Sequence, residues 1–175
     1  MDGPDKQQTW GMIGLGLLGA AMSRRLMNLG WHVVGYDSSP KAQTDFSTSG
    51  GESVSSVAEV ARKCDVVSLC LPNGPTVRQV VDAISRDSAD RKLRYLLDHS
   101  TIEPELSVAI SGDLRRHEIE YLEANVCGSS QLAEEGQILI LVSGQEPAYQ
   151  AIRPQLTDRQ TAGLKKTLIL YCYFC

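Results

Sequence analysis

Residues 9 to 19 read Thr9-Trp10-Gly11-Met12-Ile13-Gly14-Leu15-Gly16-Leu17-Leu18-Gly19, and the spacing of the last three glycines decides the fold. Gly14-x-Gly16-x-x-Gly19 has the form of a phosphate-cradling turn between a strand and a helix. The first glycine permits a sharp turn, the second lets a pyrophosphate approach the backbone, and the third lets helix pack closely on strand. Alone the motif is weak, because glycine-rich turns also occur in plain loops, methyltransferases and kinases. Its flanks carry the argument. Thr9 to Ile13 is a short apolar run suited to a buried strand. From Leu17 to Leu29, Leu18, Met22, Leu26 and Leu29 recur at helical spacing with Arg24 and Asn28 on the other side, and Gly30 closes the helix. His32-Val33-Val34-Gly35-Tyr36 predicts a second strand that ends at Asp37, about 20 residues past the glycines, where dinucleotide folds place an acid on the adenosine ribose. The pyrophosphate gains the unpaired N–H groups and positive end of the first helix. A carboxylate at Asp37 repels a 2′-phosphate and no arginine follows it, so NAD is favoured over NADP.

The remaining chain continues the alternation. Pro40 to Ser47 predicts a short helix, Thr48 to Gly51 a loop, and Ser56 to Lys63 a helix. Asp65 to Leu71 is an apolar, β-branched run suited to a central parallel strand, which Pro72 ends. Asn73-Gly74-Pro75 reads as a loop, with Thr76 capping a helix that buries Val77, Val80, Val81 and Ile84. After a charged connector, Asp87 to Lys92, a strand is predicted over Arg94 to Asp98 and a helix from Pro104 through Leu106, Ile110 and Leu114. Glu120 to Glu123 and Ile138 to Val142 read as later strands separated by a small-residue loop, Asn125 to Ser130, and Pro147 to Ile152 begins one more helix. The fold class is therefore α/β: a Rossmann-type, doubly wound, mainly parallel sheet with helices on both faces. Residues 1–8 read as a disordered lead, 9–155 as the dinucleotide-binding domain and 156–175 as an atypical tail.

Composition narrows the classes. Seventeen basic and 21 acidic residues are spread along the chain without a basic run, which argues against a nucleic-acid partner. No window reaches the about 18 consecutive apolar residues of a membrane span, so no membrane partner is expected and the location is read as cytoplasmic. The 5 cysteines suit reduced thiols better than a disulfide framework. Cys172-x-x-Cys175 has redox or metal spacing but lacks a second pair or a nearby histidine, so no metal site is expected.

Four separated motifs resemble the β-hydroxyacid dehydrogenase family, with its 6-phosphogluconate dehydrogenase-like NAD-binding domain. They are Ile13 to Met22, where the family commonly has methionine at Leu18; Leu71-Pro72 and the following loop; Asp98-x-Ser100-Thr101-Ile102-x-Pro104; and Leu122 to Ser129 continuing through Ala133, Gly136 and Ser143-Gly144. The resemblance implies hydride transfer between a nicotinamide and a small β-hydroxy acid or its semialdehyde. It assigns cofactor contacts to Gly14, Leu15, Gly16, Leu17, Leu18, Gly19, Asp37, Leu71, Pro72, Asn73 and Thr101. It assigns the grip on a small carboxylate substrate to Ser100, Thr101, Cys127, Gly128 and Ser129. Without the resemblance, Ser100 and Thr101 read as a turn or helix cap. Asn125 stands where the family has proline, Cys127 where it has serine and Ser129 where a second glycine is common. The family's catalytic lysine opens a second, all-helical domain. Residues Thr161 to Cys175 do not carry the glycine-rich signature that precedes it, and Lys165 and Lys166 read as solvent-facing charges, so no catalytic residue is assigned. The chain is thus expected to be the NAD-binding domain truncated before that lysine, with self-association through the uncovered domain face. The alternative is a non-catalytic nucleotide-binding or sensor module that acts with a partner protein.

Overall fold

The computed structural model describes residues 9–86, 90–156 and, for the backbone alone, 168–172. The lead at 1–8, part of the charged connector, Lys165, Lys166 and Cys175 lie outside the described residues, as does the Cys172 side chain.

The first half follows the predicted alternation closely: β1 (Thr9–Ile13), α1 (Leu17–Asn28), β2 (His32–Tyr36), α2 (Pro40–Thr48), β3 (Glu52–Ser53), α3 (Val57–Lys63), β4 (Val66–Leu69) and α4 (Gly74–Arg86). The second half comprises β5 (Tyr95–Asp98), α5 (Pro104–Arg115), β6 (Glu120–Cys127), α6 (Ser130–Glu135), β7 (Leu139–Gly144), α7 (Glu146–Leu156) and β8 (Leu168–Cys172). One sheet has the order β3-β2-β1-β4-β5-β6-β7-β8. Pairing is parallel from β3 to β6, β7 runs antiparallel to β6, and β8 lies parallel to β7. Part of the stretch read as a tail therefore adds a strand to the sheet.

Helices cover both faces. Val60, Val77, Val81, Ile84, Ile110 and Leu114 of α3, α4 and α5 pack on one side with Val67, Leu96 and Tyr121. Ala21, Ala133, Ala148 and Ile152 of α1, α6 and α7 pack on the other with Trp10, Leu97 and Leu122. Strand order reverses between β1 and β4, so the segments after these two strands open a crevice at the carboxyl edge of the sheet, where ligands sit in such folds.

Several local expectations are corrected. Thr76 does not cap α4: Asn73 Oδ1 accepts the Thr76 N–H at 2.9 Å and its hydroxyl at 2.8 Å, so the helix starts at Gly74. An amide side chain reaches the N3 N–H from the cap position, while Thr76 already lies in the first turn. The segment from Asn125 to Ser130 is not a loop. Asn125, Val126 and Cys127 pair with Leu141, Ile140 and Leu139, and Ser130 opens α6, leaving Gly128 and Ser129 as the turn. Arg24 does not simply face solvent, because its guanidinium meets the Glu134 carboxylate of α6 at 2.8 Å. Just past the stretch read as a loop, Thr48 to Gly51, Glu52 and Ser53 form β3 against Val34 and Gly35, a strand not predicted from the sequence.

α1 ends as its sequence predicts. The Gly30 N–H donates to the Met27 carbonyl and the Trp31 N–H to the Leu26 carbonyl, a closure that needs the positive φ of 88° at Gly30.

Candidate cofactor and substrate site

The three glycines of the turn act differently. Gly14 has φ +91°, and a Cβ there would fall on the Cys70 carbonyl oxygen; a Cβ on Gly19 would fall on the Gly14 carbonyl oxygen. Both are therefore required by the protein's own packing. Gly16 is exposed, with φ −68°, and nothing lies within 4 Å of the Cβ position. Its lack of a side chain keeps open a space that protein atoms do not fill. Gly16 also caps α1 without a side-chain hydrogen bond, and no acid lies in the first turn. The leading N–H groups and the positive helix end are thus available to an anion, which is the chemistry a pyrophosphate needs.

A cavity of about 950 Å³ runs from this turn along the sheet edge. It brings together Gly14, Gly16, Leu17, Leu18, Gly19 and Asp37 with Leu71, Pro72, Ser100 and Thr101. Of the residues assigned from sequence to the cofactor, Leu15 and Asn73 do not line it. The Leu15 side chain is buried, and its N–H donates to Asp37 Oδ2 at 2.7 Å, while Asn73 caps α4. Asp37 also accepts the Ser39 N–H on Oδ1 at 2.7 Å. A carboxylate offers about four lone-pair sites, so two remain for ribose hydroxyls. These bonds hold the acid against the glycine turn.

Sequence reasoning missed the wall supplied by Tyr36, Val57, Thr76, Gln79, Val80 and Ala83. Its trace in the sequence is the second stripe of α4, Thr76, Gln79, Val80 and Ala83, at helical spacing beside the core stripe Val77, Val81 and Ile84. A stripe mixing polar and small apolar residues suits a ligand-facing surface better than a dry core.

At the other end, Ser100 is tightly engaged. Its N–H donates to Asp98 Oδ1 at 2.9 Å, its Oγ accepts the Leu71 N–H at 3.0 Å, and the hydroxyl also hydrogen bonds the Asp98 carboxylate. Tyr121 donates to Asp98 Oδ2 at 2.8 Å. Burial raises the Asp98 pKa, and these donors pull it back. Ser100 therefore fixes the Leu71-Pro72 loop, and Thr101 is exposed beside it at the cavity. Cys127, Gly128 and Ser129 do not line this cavity. They lie at the end of β6, the neighbour of β5, on the same edge of the sheet. The Cys127 thiol is exposed, and Ser129 Oγ caps α6 by accepting the Leu132 N–H at 3.2 Å. A Cβ on Gly128 would lie 2.8 Å from Ile138 Cγ2, so only glycine fits there.

The ionisable side chains on the cavity wall are Tyr36, Asp37, Cys70 and His99. Burial pushes the Cys70 thiol up to about 12 and His99 down to about 4. Both ring nitrogens of His99 are bonded within the protein, Nε2 to Ser68 Oγ at 3.0 Å and Nδ1 to the Ala124 carbonyl at 2.6 Å. Neither group is poised to exchange a proton with a ligand near neutral pH.

Comparison with known proteins agrees with this geometry. Residues 9–167 match the NAD binding domain of 6-phosphogluconate dehydrogenase. Human mitochondrial 3-hydroxyisobutyrate dehydrogenase is 30% identical over 166 residues, 93% of this chain and 47% of that protein. The Drosophila melanogaster protein called cytokine-like nuclear factor N-PAC is 27% identical over 146 residues, 82% of this chain and 24% of that protein. Mycobacterium tuberculosis 3-hydroxyisobutyrate dehydrogenase, solved with L-serine, superposes with a TM-score of 0.83 at 26% identity, over 95% of this chain and 55% of that one. The chain spans about half the length of the dehydrogenases it matches. No helix among the described residues is long and apolar enough to cross a membrane. The chain belongs to the family of the NAD binding domain of 6-phosphogluconate dehydrogenase, and within it to the N-terminal NAD-binding domains of the β-hydroxyacid dehydrogenases.

Proposed function

We propose that this chain is the cofactor-binding part of an oxidoreductase that moves hydride between NAD(H) and a small β-hydroxy acid or its semialdehyde. The observation that carries the reading is the continuous cavity from Asp37, past the open Gly16, to Ser100 and Thr101. Asp37 orients the adenosine ribose, and the N–H groups at the start of α1 hold the pyrophosphate. When bound, the nicotinamide supplies the carbon that gives or takes the hydride. Leu71 and Pro72 wall the cavity on the β4 side and are held in place through Ser100. Thr101 and the backbone N–H groups of Cys127, Gly128 and Ser129 form the carboxylate grip, which aligns the reacting carbon with the hydride path. Cys70 and His99 are unsuited to proton transfer, so we assign neither of them to the substrate oxygen. The three free cysteines among the described residues suit a reducing compartment, and we place the protein in the cytoplasm.

The test is hydride transfer by the 175-residue chain with 3-hydroxyisobutyrate and related β-hydroxy acids, beside NADH binding. Saturable NADH binding is expected with turnover lowered by about 10²–10⁴, the usual worth of general acid–base help. Turnover at about 10 s⁻¹, the median for enzymes, would show that the 175-residue chain already holds the proton donor. A second reading, a nucleotide-binding module that acts through a partner protein, is favoured by the similarity to a segment of a protein named as a nuclear factor. It predicts NADH binding with no turnover even when a helical partner domain is supplied.

A further inference from the structure

His99 stands between two residues of the predicted substrate motif, yet its ring does not point its chemistry at the cavity. Trp10 Nε1 donates to Ser68 Oγ at 3.1 Å, Ser68 Oγ contacts His99 Nε2 at 3.0 Å, and His99 Nδ1 contacts the Ala124 carbonyl at 2.6 Å. The chemistry of the end groups fixes every hydrogen in this chain. An indole nitrogen only donates and a carbonyl oxygen only accepts, so Nδ1 must carry the proton and Nε2 must be bare. Ser68 then accepts from Trp10 and donates to His99. The opposite tautomer would set a bare Nδ1 against a carbonyl oxygen and leave the Ser68 hydrogen without an acceptor. All four residues are buried or nearly so, where an unmade hydrogen bond is costly.

The bond to Ala124 fills a gap in the sheet. β5 ends at Asp98, and the Ser100 N–H turns back to Asp98 Oδ1, so the ladder offers no donor to the Ala124 carbonyl. The imidazole N–H takes that place. Beyond Ala124, β6 is paired only with β7 on its way to Cys127 and Gly128. We propose that His99 is a positioning residue: a fixed hydrogen-bond strut, from β1 and β4 to β6, that sets the substrate end of β6 against the cofactor side of the sheet. This rests on the reading of the cavity as a cofactor site and of the β6 end as the carboxylate grip. In this role His99 neither binds the substrate nor relays its proton.

The test uses the full chain in the ligand-free state. In long-range 1H–15N spectra of histidine-labelled protein, His99 is expected as the Nδ1-protonated tautomer, unchanged on saturation with NAD+, with His32 and His117 as references. Amide exchange is then compared in His99→Phe, which keeps the ring volume and loses both bonds, and His99→Asn, whose amide can still donate to Ala124. In the Phe variant, exchange over Val126 to Ser129 should accelerate about tenfold or more while the amides at the start of α1 change little, and Asn should restore most of the protection. A protonated Nε2, uniform acceleration across the chain, or no rescue by Asn would overturn the proposal. If the Phe variant does not fold, the tautomer and the Asn variant decide. A separate NADH titration tests the cofactor reading, so the two can fail independently.

Discussion

Adding one methyl group at Gly16 and at Gly19 should separate binding from stability. At Gly16 φ is −68°, a value alanine adopts freely, and nothing lies within 4 Å of the new Cβ. Replacing glycine there reduces unfolded-state freedom, worth about 0.4–1 kcal/mol. Alanine is a poorer N-cap than glycine by a similar amount, about 0.5–1 kcal/mol. The two nearly cancel, so the midpoint of thermal unfolding of Gly16→Ala should stay within about 3 °C of wild type. The methyl nevertheless occupies the space a pyrophosphate needs. An overpacking penalty of about 1–3 kcal/mol corresponds to NADH binding weakened about 5- to 150-fold. At Gly19 the same methyl meets the Gly14 carbonyl oxygen, which is backbone and cannot turn aside. Displacing α1 from the turn should cost about 3 kcal/mol or more, lowering the midpoint by about 6–12 °C. Fluorescence energy transfer from Trp10 and Trp31 to NADH reads the affinity, and calorimetry reads the melting. A Gly16→Ala protein that binds NADH as well as wild type, or melts as early as Gly19→Ala, would refute the assignment of these roles.

Asp37→Asn should narrow the preference for NADH over NADPH, because removing the negative charge relieves repulsion of a 2′-phosphate; an unchanged ratio in parallel titrations would contradict this. His99, neutral in the fold with its pKa near 4, takes its proton earlier in the unfolded chain. The stability it leaves intact at pH 7 is therefore lost as pH falls from about 6.5 to 4, a difference on the order of 3 kcal/mol. Denaturant unfolding of wild type and His99→Asn should show the gap between them shrinking over that interval, and a constant gap would count against burial of the neutral ring. Arg24→Ala should lower stability by less than about 1 kcal/mol, since both partners of the Arg24–Glu134 pair are over a third exposed. Cys127→Ser should remove a fast-reacting thiol in labelling with an aromatic disulfide, while buried Cys64, pushed up to about 12, reacts only on unfolding and half-buried Cys70 on the cavity wall, likewise pushed up to about 12, reacts slowly.

The first half of the fold was legible because each element carried its own local signal. Gly14, Gly16, Gly19 and Asp37 fall where backbone sterics and ligand charge leave little choice of residue. The β6–β7 region was harder to read. Asn125 and Cys127 are not strong strand formers, and they are extended because Leu141 and Leu139 pair with them, a non-local contact that one stretch of sequence does not announce. α6 is a single short turn-and-a-half secured by its Ser129 cap and by packing on α1, so periodicity had little length to act on. Thr76 was misread because Asn73 offers the same cap at a better position. In the site, the family resemblance assigned Ser100 and Ser129 to the grip on a substrate carboxylate, while residue type alone read Ser100 as a turn or helix cap. The structure shows the Ser100 hydroxyl holding the Leu71 loop and the Asp98 carboxylate, and the Ser129 hydroxyl capping a helix. A hydroxyl's residue type does not reveal which of its possible partners lies nearest.

The central claim is that NAD lies along the edge of the sheet from Asp37 to Thr101. Backbone amide NMR of the labelled chain during titration with NAD+ tests it most directly. Saturable shifts are predicted at Gly14 to Gly19, at Asp37 and Ser38, at Leu71 and at Ser100 and Thr101, with His32, His117 and the outer face of α5 unmoved. Saturable shifts confined to other surfaces, or none at millimolar NAD+, would contradict the account.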